Sequence, residues 1–561
     1  MNALSALLIL CAVLPGFAQA PTLPGPDTLA ARVDTLFSAW SRPDAPGAVC
    51  AVMQEGRLIL ARGYGMADLD HAVPLTPTSV FHVASLSKQF TAAAIGLLVQ
   101  EGRLSLDDDL RQYLPELPSF GQPILIRHLL YHTSGLRDYH QLMGLTGWHS
   151  TDPLTNQQVV ELLCRQRELN FPPGTEHLYS NSGYLLLAQV VQRASGQTLG
   201  AFAEERLFRP LGMAHTHFEE DHRQVVPQRV ISYEPRMGGG YSQLLKIADT
   251  CGDMGLLTTA EDLFLWDRNF STGQVGGPAL LDLMRRRGVL ASGDTLPYAF
   301  GLIVGKYRGL ETVDHSGSQQ GFRTELVHFP QQHLTVAVLA NLSTIDATGL
   351  AYQVADLYLT GRFPQPSGNG AGTGDPAVIA VDTLLLDAYA GDYQLPGPPG
   401  TSFTFTREGR RFFAQVGGTP KVEILPCADS VFFRPDGGET RAIFHRTPDG
   451  SISGFTLHQQ GDQLVPRVQL QMPTPRELAQ YAGAFICPEL GTSYELCVEA
   501  DSLVVKQRGQ RTGSALVPRG NDQFDADQGT SVVFVRDEHH QITGLRYTSD
   551  RIRNLRLERQ P

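Results

Sequence analysis

Ser85 and Lys88 are the residues whose types and spacing point most directly to a reaction. They stand three apart in Phe81-His82-Val83-Ala84-Ser85-Leu86-Ser87-Lys88-Gln89-Phe90, and the apolar run Thr91 to Val99 follows. A helix beginning near Ala84 puts positions i and i+3 on one face. The hydroxyl then sits at the positive N-terminal end of the helix, with an amine one turn further in. A serine hydroxyl is a poor nucleophile until a base removes its proton, and a desolvated neutral lysine can be that base. Ser-x-x-Lys also arises by chance on protein surfaces, so the pair gains meaning only with partners elsewhere in the chain.

Three later segments offer such partners. In Pro173-Gly174-Thr175-Glu176-His177-Leu178-Tyr179-Ser180-Asn181, an extended Tyr179-x-Asn181 points both side chains the same way. A phenol beside a lysine ammonium is driven toward phenolate and can relay a proton between nucleophile and leaving group. Asn181 can hold the lysine amine and a substrate amide. Taken alone, this segment reads as a core aromatic and a loop cap. His315-Ser316-Gly317-Ser318 reads as the end of a strand, where Gly317 lets a substrate backbone approach the edge. The backbone N–H groups of Ser85 and Ser318 are the expected oxyanion hole, usually the largest electrostatic contribution in acyl transfer. His132, in His132-Thr133-Ser134-Gly135, is read as structural, because Lys88 and Tyr179 already cover proton transfer.

A chain of 561 residues predicts several domains. It is 42% hydrophobic and 18% charged, an ordinary globular composition. The formal net charge is −12 without any basic run, which argues against nucleic acid as a partner. Residues 1–20 carry a short apolar run ending in Ala18-Gln19-Ala20, a small-x-small cleavage pattern, so export by a signal peptide is expected. Bulky Ile9-Leu10 before Cys11 argue against lipidation there. No other segment suits a transmembrane helix.

The elements that must position the chemistry follow in order. Ala30 to Trp40 has an amphipathic helical pattern, and Gly47 to Gln54 and Leu58 to Gly65 form a hairpin through Glu55-Gly56. Asp107-Asp108-Asp109 lacks the glycine and distal glutamate of a calcium loop and reads as a turn or helix cap. Helical periodicity dominates from 110 to about 270: Asn156 to Arg165, Tyr184 to Ala194, Leu199 to Leu207, and Asp262 to Phe270 after a Thr259 cap. The period then changes to two, with strands expected at Tyr298 to Lys306, Glu311 to His315, Glu325 to Phe329 and Leu334 to Ala340, and a closing helix from Thr344 to Leu359. The first domain, 27–362, is thus an α+β unit whose antiparallel sheet is built from both ends of the segment, flanked by helices and carrying a helical subdomain.

Residues 363–377 form a Pro/Gly linker. Beyond it, Leu386-Asp387-Ala388-Tyr389-Ala390-Gly391-Asp392-Tyr393 is echoed by Leu478-Ala479-Gln480-Tyr481-Ala482-Gly483-Ala484-Phe485. Phe444 and Phe534 occupy equivalent strands. Each repeat, 378–472 and 475–561, has about eight short strands, enough for a closed up-and-down, lipocalin-like barrel. Two such barrels either shape the substrate site or act as rigid spacers. No cysteine pair has zinc-ligand spacing, and neither a metal nor a cofactor is implied. Cys487 and Cys497 flank a turn-like Pro488 to Thr492, leaving a cross-strand disulfide and two free thiols both open.

The ordered motifs Ser85-x-x-Lys88, Tyr179-x-Asn181 and His315-x-Gly317 resemble the serine β-lactamase and penicillin-binding-protein superfamily. Tyr-x-Asn resembles its class C β-lactamase-like branch. Leu130 to Leu136, the Pro173-Gly174 run, Leu211-Gly212-Met213 and Gly255 to Leu263 agree, and the resemblance covers roughly 27 to 360. It implies that Ser85 is acylated, that Lys88 helps deprotonate it, and that Tyr179 protonates the leaving group and later activates water. It further implies that Asn181 orients Lys88 and substrate, with His315 and Gly317 on the substrate side. His315 stands where β-lactamases have a lysine that grips a substrate carboxylate. A histidine is charged only part of the time near neutral pH, which moves the expected substrate away from β-lactams. His-x-Gly followed by two barrels is similar to D-aminopeptidases, in which a barrel loop reaches the active site. The expected activity is exported serine hydrolysis of a small peptide, amide or ester. Carboxylesterase, weak β-lactamase or DD-carboxypeptidase activity is the alternative, and a non-catalytic peptidoglycan- or peptide-binding protein is the rival of another class.

Overall fold

The computed structural model describes residues 26–561 apart from 150–151, 246, 365–375, 396–401, 418–420, 436–439, 460, 469–472, 508–511, 521 and 527–529. The leader-like residues 1–20 and most of the linker 363–377 lie outside the described residues.

A six-stranded antiparallel sheet frames the first unit. The hairpin β1 (Ala48–Gln54) and β2 (Arg57–Tyr64) turns through Glu55 and Gly56, both at positive φ, as a two-residue hairpin turn demands. Strands β3 (Ile303–Tyr307), β4 (Leu310–Gln319), β5 (Phe322–Phe329) and β6 (Leu334–Ala340) come late in the chain. The order is β3-β4-β5-β6-β1-β2, so both ends of the unit meet where β6 pairs with β1. Two strand expectations shift. Tyr298 to Leu302 stays outside the sheet because a turn closes from Ala299 N to Leu302 O, with Gly301 at positive φ. The segment expected to end at His315 instead runs on to Gln319, so His315 to Ser318 lie inside β4.

Both faces of this sheet are covered. On β1, Val49, Ala51 and Met53 enter the main core, while Cys50 and Val52 enter the core beneath helix α1 (Pro26–Phe37) and the closing helix Ala347–Tyr358. That is why β1 and β6 read as continuous apolar runs rather than alternating ones. On the other face lies helix α2 (Ser87–Gln100), buried from Ser87 through Leu98. A helix apolar on all sides belongs in the middle of a domain. It packs against helix α3 (Asn181–Ser195), whose C-terminus ends on left-handed Gly196. Between them the acidic triplet acts as expected: Asp109 caps the short helical turn Leu110–Gln112.

The two repeats form two closed eight-stranded antiparallel barrels. The repeated segment closes one end of each. Tyr389 stacks on Phe444 with ring centroids 4.4 Å apart, and Tyr481 packs on Phe534 at 4.6 Å. Arg467 and Arg559 repeat as well, each donating to two carbonyls of its own segment. The barrels join each other through Arg519, which bonds Asp392 and Asp525, and through Ser402 donating to Asp525 at 2.6 Å. Cys487 and Cys497 are both free thiols. The register pairs Cys487 with Thr492 and Cys497 with Val504, so the two do not face each other.

The second barrel docks on the helical side of the first unit. Arg137 and Glu489 form a fully desolvated ion pair, 2.7 Å apart, across the boundary. Arg137 also donates to Gln166 and to the carbonyls of Arg553 and Asn554, while Glu489 accepts from the backbone of Arg167. The barrel loop from Ser549 to Asn554 lies on this seam: the Arg551 carbonyl accepts from Asp138 N and Asn170 Nδ2.

Candidate active site

Ser85 sits in a short 3-10 turn, Ala84–Leu86, that feeds directly into α2. The residue before it, Ala84, has φ +50°, a left-handed conformation that costs a non-glycine residue energy and persists only where surroundings enforce it. Here Val83 N donates to Leu256 O, Thr324 Oγ1 to Val83 O at 3.0 Å, and Ser87 Oγ to Ala84 O at 2.6 Å. Gly317 on β4 completes the clamp. A Cβ there would lie 2.3 Å from Thr324 Oγ1 and 2.4 Å from Val83 O. Gly317 is therefore required for strand β4 to close on the Ser85 turn, a different reason from the substrate approach expected for it.

Lys88 is completely buried, and its Nζ has three acceptors: Ser85 Oγ at 3.0 Å, Asn181 Oδ1 at 2.8 Å and the Asp253 carbonyl at 2.8 Å. An ammonium uses all three. A neutral amine has two N–H groups and one lone pair. The two carbonyl-type oxygens can only accept, so the lone pair falls to the serine hydroxyl. Asn181 is fixed in the required orientation because its Nδ2 and backbone N both donate to Asp138, at 2.9 and 2.8 Å.

Tyr179 and Asn181 converge on Lys88 from the start of α3. Lys88 Nζ lies 4.9 Å from the Tyr179 ring centroid. His132 grips the chain on both sides of that tyrosine. Its carbonyl accepts Leu178 N at 2.9 Å, its Nδ1 accepts Ser180 N at 3.2 Å, and its ring packs on Tyr179 at 4.2 Å. Burial, then the nearby Lys88 charge, hold His132 well below the ordinary histidine range.

His315 corrects an expectation. It is not a part-time cation near neutral pH: burial first, and Lys88 second, push its pKa down to about 4. Its Nδ1 lies 2.6 Å from Ser316 O and must donate to it, so Nε2 accepts the Tyr298 hydroxyl at 3.0 Å. A neutral ring with both nitrogens engaged cannot grip a carboxylate by charge.

The structure adds residues that pattern reading did not find. Asp138 orients Asn181, Asp253 offers its carbonyl to Lys88, and Tyr298 engages His315 while its ring lies 4.5 Å from His132. Arg551 of the second barrel places its guanidinium 5.0 Å from the Tyr179 ring centroid and Nη1 3.9 Å from Asp138 Oδ2. The second barrel thus forms part of the rim. Away from this site, Asp221, His222 and Asp249 lie close enough to share an ion, but Arg223 pairs with Asp221 and His222 with Asp249. No described helix is long and apolar enough to cross a membrane.

A sheet closed by a Ser85 turn, a buried lysine against the serine, and a Tyr-x-Asn pair on that lysine define a serine hydrolase of the β-lactamase and penicillin-binding-protein type. The comparisons agree: the family model described as Beta-lactamase matches residues 31–359, and the chain belongs to that family. Penicillin-binding protein 4* of Bacillus subtilis is 28% identical over 425 residues, covering 72% of this chain and 91% of that protein. A D-aminopeptidase of Gluconobacter oxydans is 27% identical over 316 residues, covering 56% of this chain and 59% of that protein, less than two thirds of its length. The octameric penicillin-binding protein homologue from Pyrococcus abyssi shares the fold, with TM-score 0.55, 22% identity, and 79% of this chain and all of that one covered.

Proposed function

We propose that this is an exported serine amidohydrolase that cleaves a small peptide or amide through an acyl-enzyme on Ser85. The observation that carries the reading is the bonding of Lys88, which leaves a neutral amine no position for its lone pair except toward Ser85 Oγ. In the proposed cycle, Ser85 Oγ attacks the carbonyl carbon and its proton passes to Lys88. The oxyanion takes hydrogen bonds from the backbone N–H groups of Ser85 and Ser318. Tyr179 delivers a proton to the leaving nitrogen, the C–N bond breaks, and Lys88 restores that proton. Water then attacks the ester carbonyl, its proton passing to Tyr179 as the phenol proton moves on to Lys88; the acyl C–O bond breaks and Lys88 returns a proton to Ser85 Oγ. Export is proposed from residues 1–20 and places the enzyme in the periplasm or outside the cell.

The relatives named D-aminopeptidase support substrates with D-residues. Arg551 favours a second reading. A cation at the rim attracts a substrate carboxylate and repels a free ammonium, as carboxypeptidase-like cleavage would require. A panel of D-amino acid anilides, a peptide ending in D-Ala-D-Ala, short acyl esters and a chromogenic cephalosporin separates these. The reading predicts that amides or peptides turn over fastest. A cephalosporin rate above all others, or ligand binding with no turnover, overturns it.

A further inference from the structure

The two fixed acceptors of Lys88, the Asn181 side chain and the Asp253 carbonyl, are held by neighbouring residues of one segment. Asp138 takes Asn181 through Oδ2. The next two residues take the side chain of Asp253. The Tyr139 hydroxyl lies 3.1 Å from Asp253 Oδ2 and 3.3 Å from Oδ1, and His140 Nε2 lies 3.3 Å from Oδ2. A carboxylate can only accept, so both groups donate. The Asp253 side chain is entirely buried and Tyr139 is buried with it, while His140 is partly exposed and stacks on the Tyr139 ring at 4.2 Å. Burial first, and the Asp253 charge second, hold the Tyr139 phenol well above the ordinary tyrosine range, so it stays a donor.

Both sides of this arrangement are pinned. The segment from Arg137 to His140 is fixed to the start of α3: Ser182 Oγ accepts Tyr139 N at 2.9 Å and donates to Arg137 O at 2.6 Å. Asp138 Oδ1 accepts His140 N and so caps the helix Tyr139–Leu145. The Asp253 loop is fixed to α2. Thr91 Oγ1 donates to Gly252 O at 2.7 Å, one position before the carbonyl that Lys88 uses, and Leu256 N donates to Ser87 Oγ at 3.0 Å. Successive carbonyls of a strand point to opposite sides. Here those of Gly252 and Asp253 both face α2, a bend made by Gly252 at φ +114°, where a Cβ would lie 2.5 Å from Tyr184 O. Between these anchors the Asp253 side chain fixes the remaining freedom, the direction of its own carbonyl.

We propose that Asp253 is a positioning residue for Lys88, its carboxylate held by Tyr139 and His140 so that its carbonyl stays aimed at Nζ. The inference rests on the reading that Lys88 serves Ser85. With both carbonyl-type acceptors in place, the neutral amine uses its two N–H groups on them and turns its lone pair to Ser85 Oγ. A buried carboxylate deprived of a donor shifts toward another, because an unmade bond there is unfavourable. The carbonyl shifts with it, and the lone pair is no longer confined to the serine. Tyr139 and His140 act on Lys88 through Asp253, so they set the rate of serine attack and leave ligand binding alone.

The test follows inactivation of the full-length protein by a fluorophosphonate, separating kinact from KI and normalising to the folded fraction by near-UV circular dichroism. Tyr139→Phe removes one oxygen and keeps the ring. It should lower kinact about tenfold, as loss of one hydrogen bond to a charged group implies, with KI unchanged. Asp253→Leu should lower kinact at least as far, and Asp253→Asn, which still accepts from the Tyr139 hydroxyl, should recover much of it. If Asp253→Leu does not fold, the kinact and KI of Tyr139→Phe decide. A Tyr139→Phe kinact equal to the parent's, a rise in KI in its place, or an Asp253→Asn no faster than a folded Asp253→Leu overturns the inference. Lys88→Met separates this from the underlying reading. If Lys88→Met is inactivated as fast as the parent, that reading fails; if Lys88→Met is slow while Tyr139→Phe matches the parent, the reading stands and only the positioning role is lost.

Discussion

Replacing Glu489 by alanine tests whether docking of the second barrel and assembly of the active-site rim are one event. Glu489 and Arg137 are both buried, and removing the carboxylate leaves Arg137 charged and desolvated. Breaking such a pair from one side costs about 3–5 kcal/mol. The remaining acceptors of Arg137, Gln166 Oε1 and the carbonyls of Arg553 and Asn554, offset part of that, which places the expected loss near the lower limit of about 3 kcal/mol. The loss falls on the seam that holds the loop from Ser549 to Asn554. In Glu489→Ala, amide hydrogen exchange in residues 549–554 should therefore accelerate, and kcat/KM should fall together with it. The double variant Arg137→Met/Glu489→Met removes both charges and should recover stability relative to the single change, because an apolar pair of similar volume costs little. The reasoning is refuted if Glu489→Ala matches the parent in both readouts, or if the double variant is no more stable than the single one.

Three further outcomes follow from the same geometry. Burial raises Glu325 from 4.5 to about 8, so the folded state keeps a proton that the unfolded chain has lost. Its contribution is full below pH 4.5 and falls as pH rises toward 8; Glu325→Gln should flatten that decline, by at most about 5 kcal/mol at about 1.4 kcal/mol per unit, in denaturant titrations at pH 5 and pH 8. His315 has the opposite sign: its folded pKa is depressed to about 4, so stability is lost as pH falls from 6.5 toward 4, and His315→Gln should lessen that acid loss in the same titrations. Arg551→Gln should shift selectivity from carboxylate-bearing toward ammonium-bearing substrates by roughly thirtyfold in kcat/KM ratio, because one charge at a partly exposed rim interacts by about 1 kcal/mol with each substrate charge, in opposite directions; an unchanged ratio removes Arg551 from the specificity argument.

Much of the fold was legible where one period rules a segment. The hairpin through Glu55-Gly56, the closing helix, and the strands from 325 to 340 carry local signals that nothing overrides. The eight-stranded barrels were legible because the repeat displays its unit twice. Ser85, Lys88, Tyr179 and Asn181 could be picked out by spacing, and the structure brings them together. Their supports could not. Asp138, Asp253, Tyr298 and Arg551 are tied to the site only by contacts across the fold, and no local spacing marks such a contact. The charge state of His315 was misread for a related reason: desolvation is a property of the packed interior and leaves no mark in a tripeptide. Gly317 was noticed for its lack of a side chain, but only the closeness of Val83 O shows what that absence accommodates. The cysteine pair failed on register, since Cys487 and Cys497 oppose other residues.

The central claim, that Ser85 is a nucleophile served by Lys88, is tested most directly by covalent labelling. The full-length protein is treated with a fluorophosphonate, digested, and its adduct located by mass spectrometry. The account predicts one adduct, on the peptide containing Ser85, absent in Ser85→Ala and slowed in Lys88→Met. Equal labelling of Ser85→Ala, or an adduct on another residue, would contradict it.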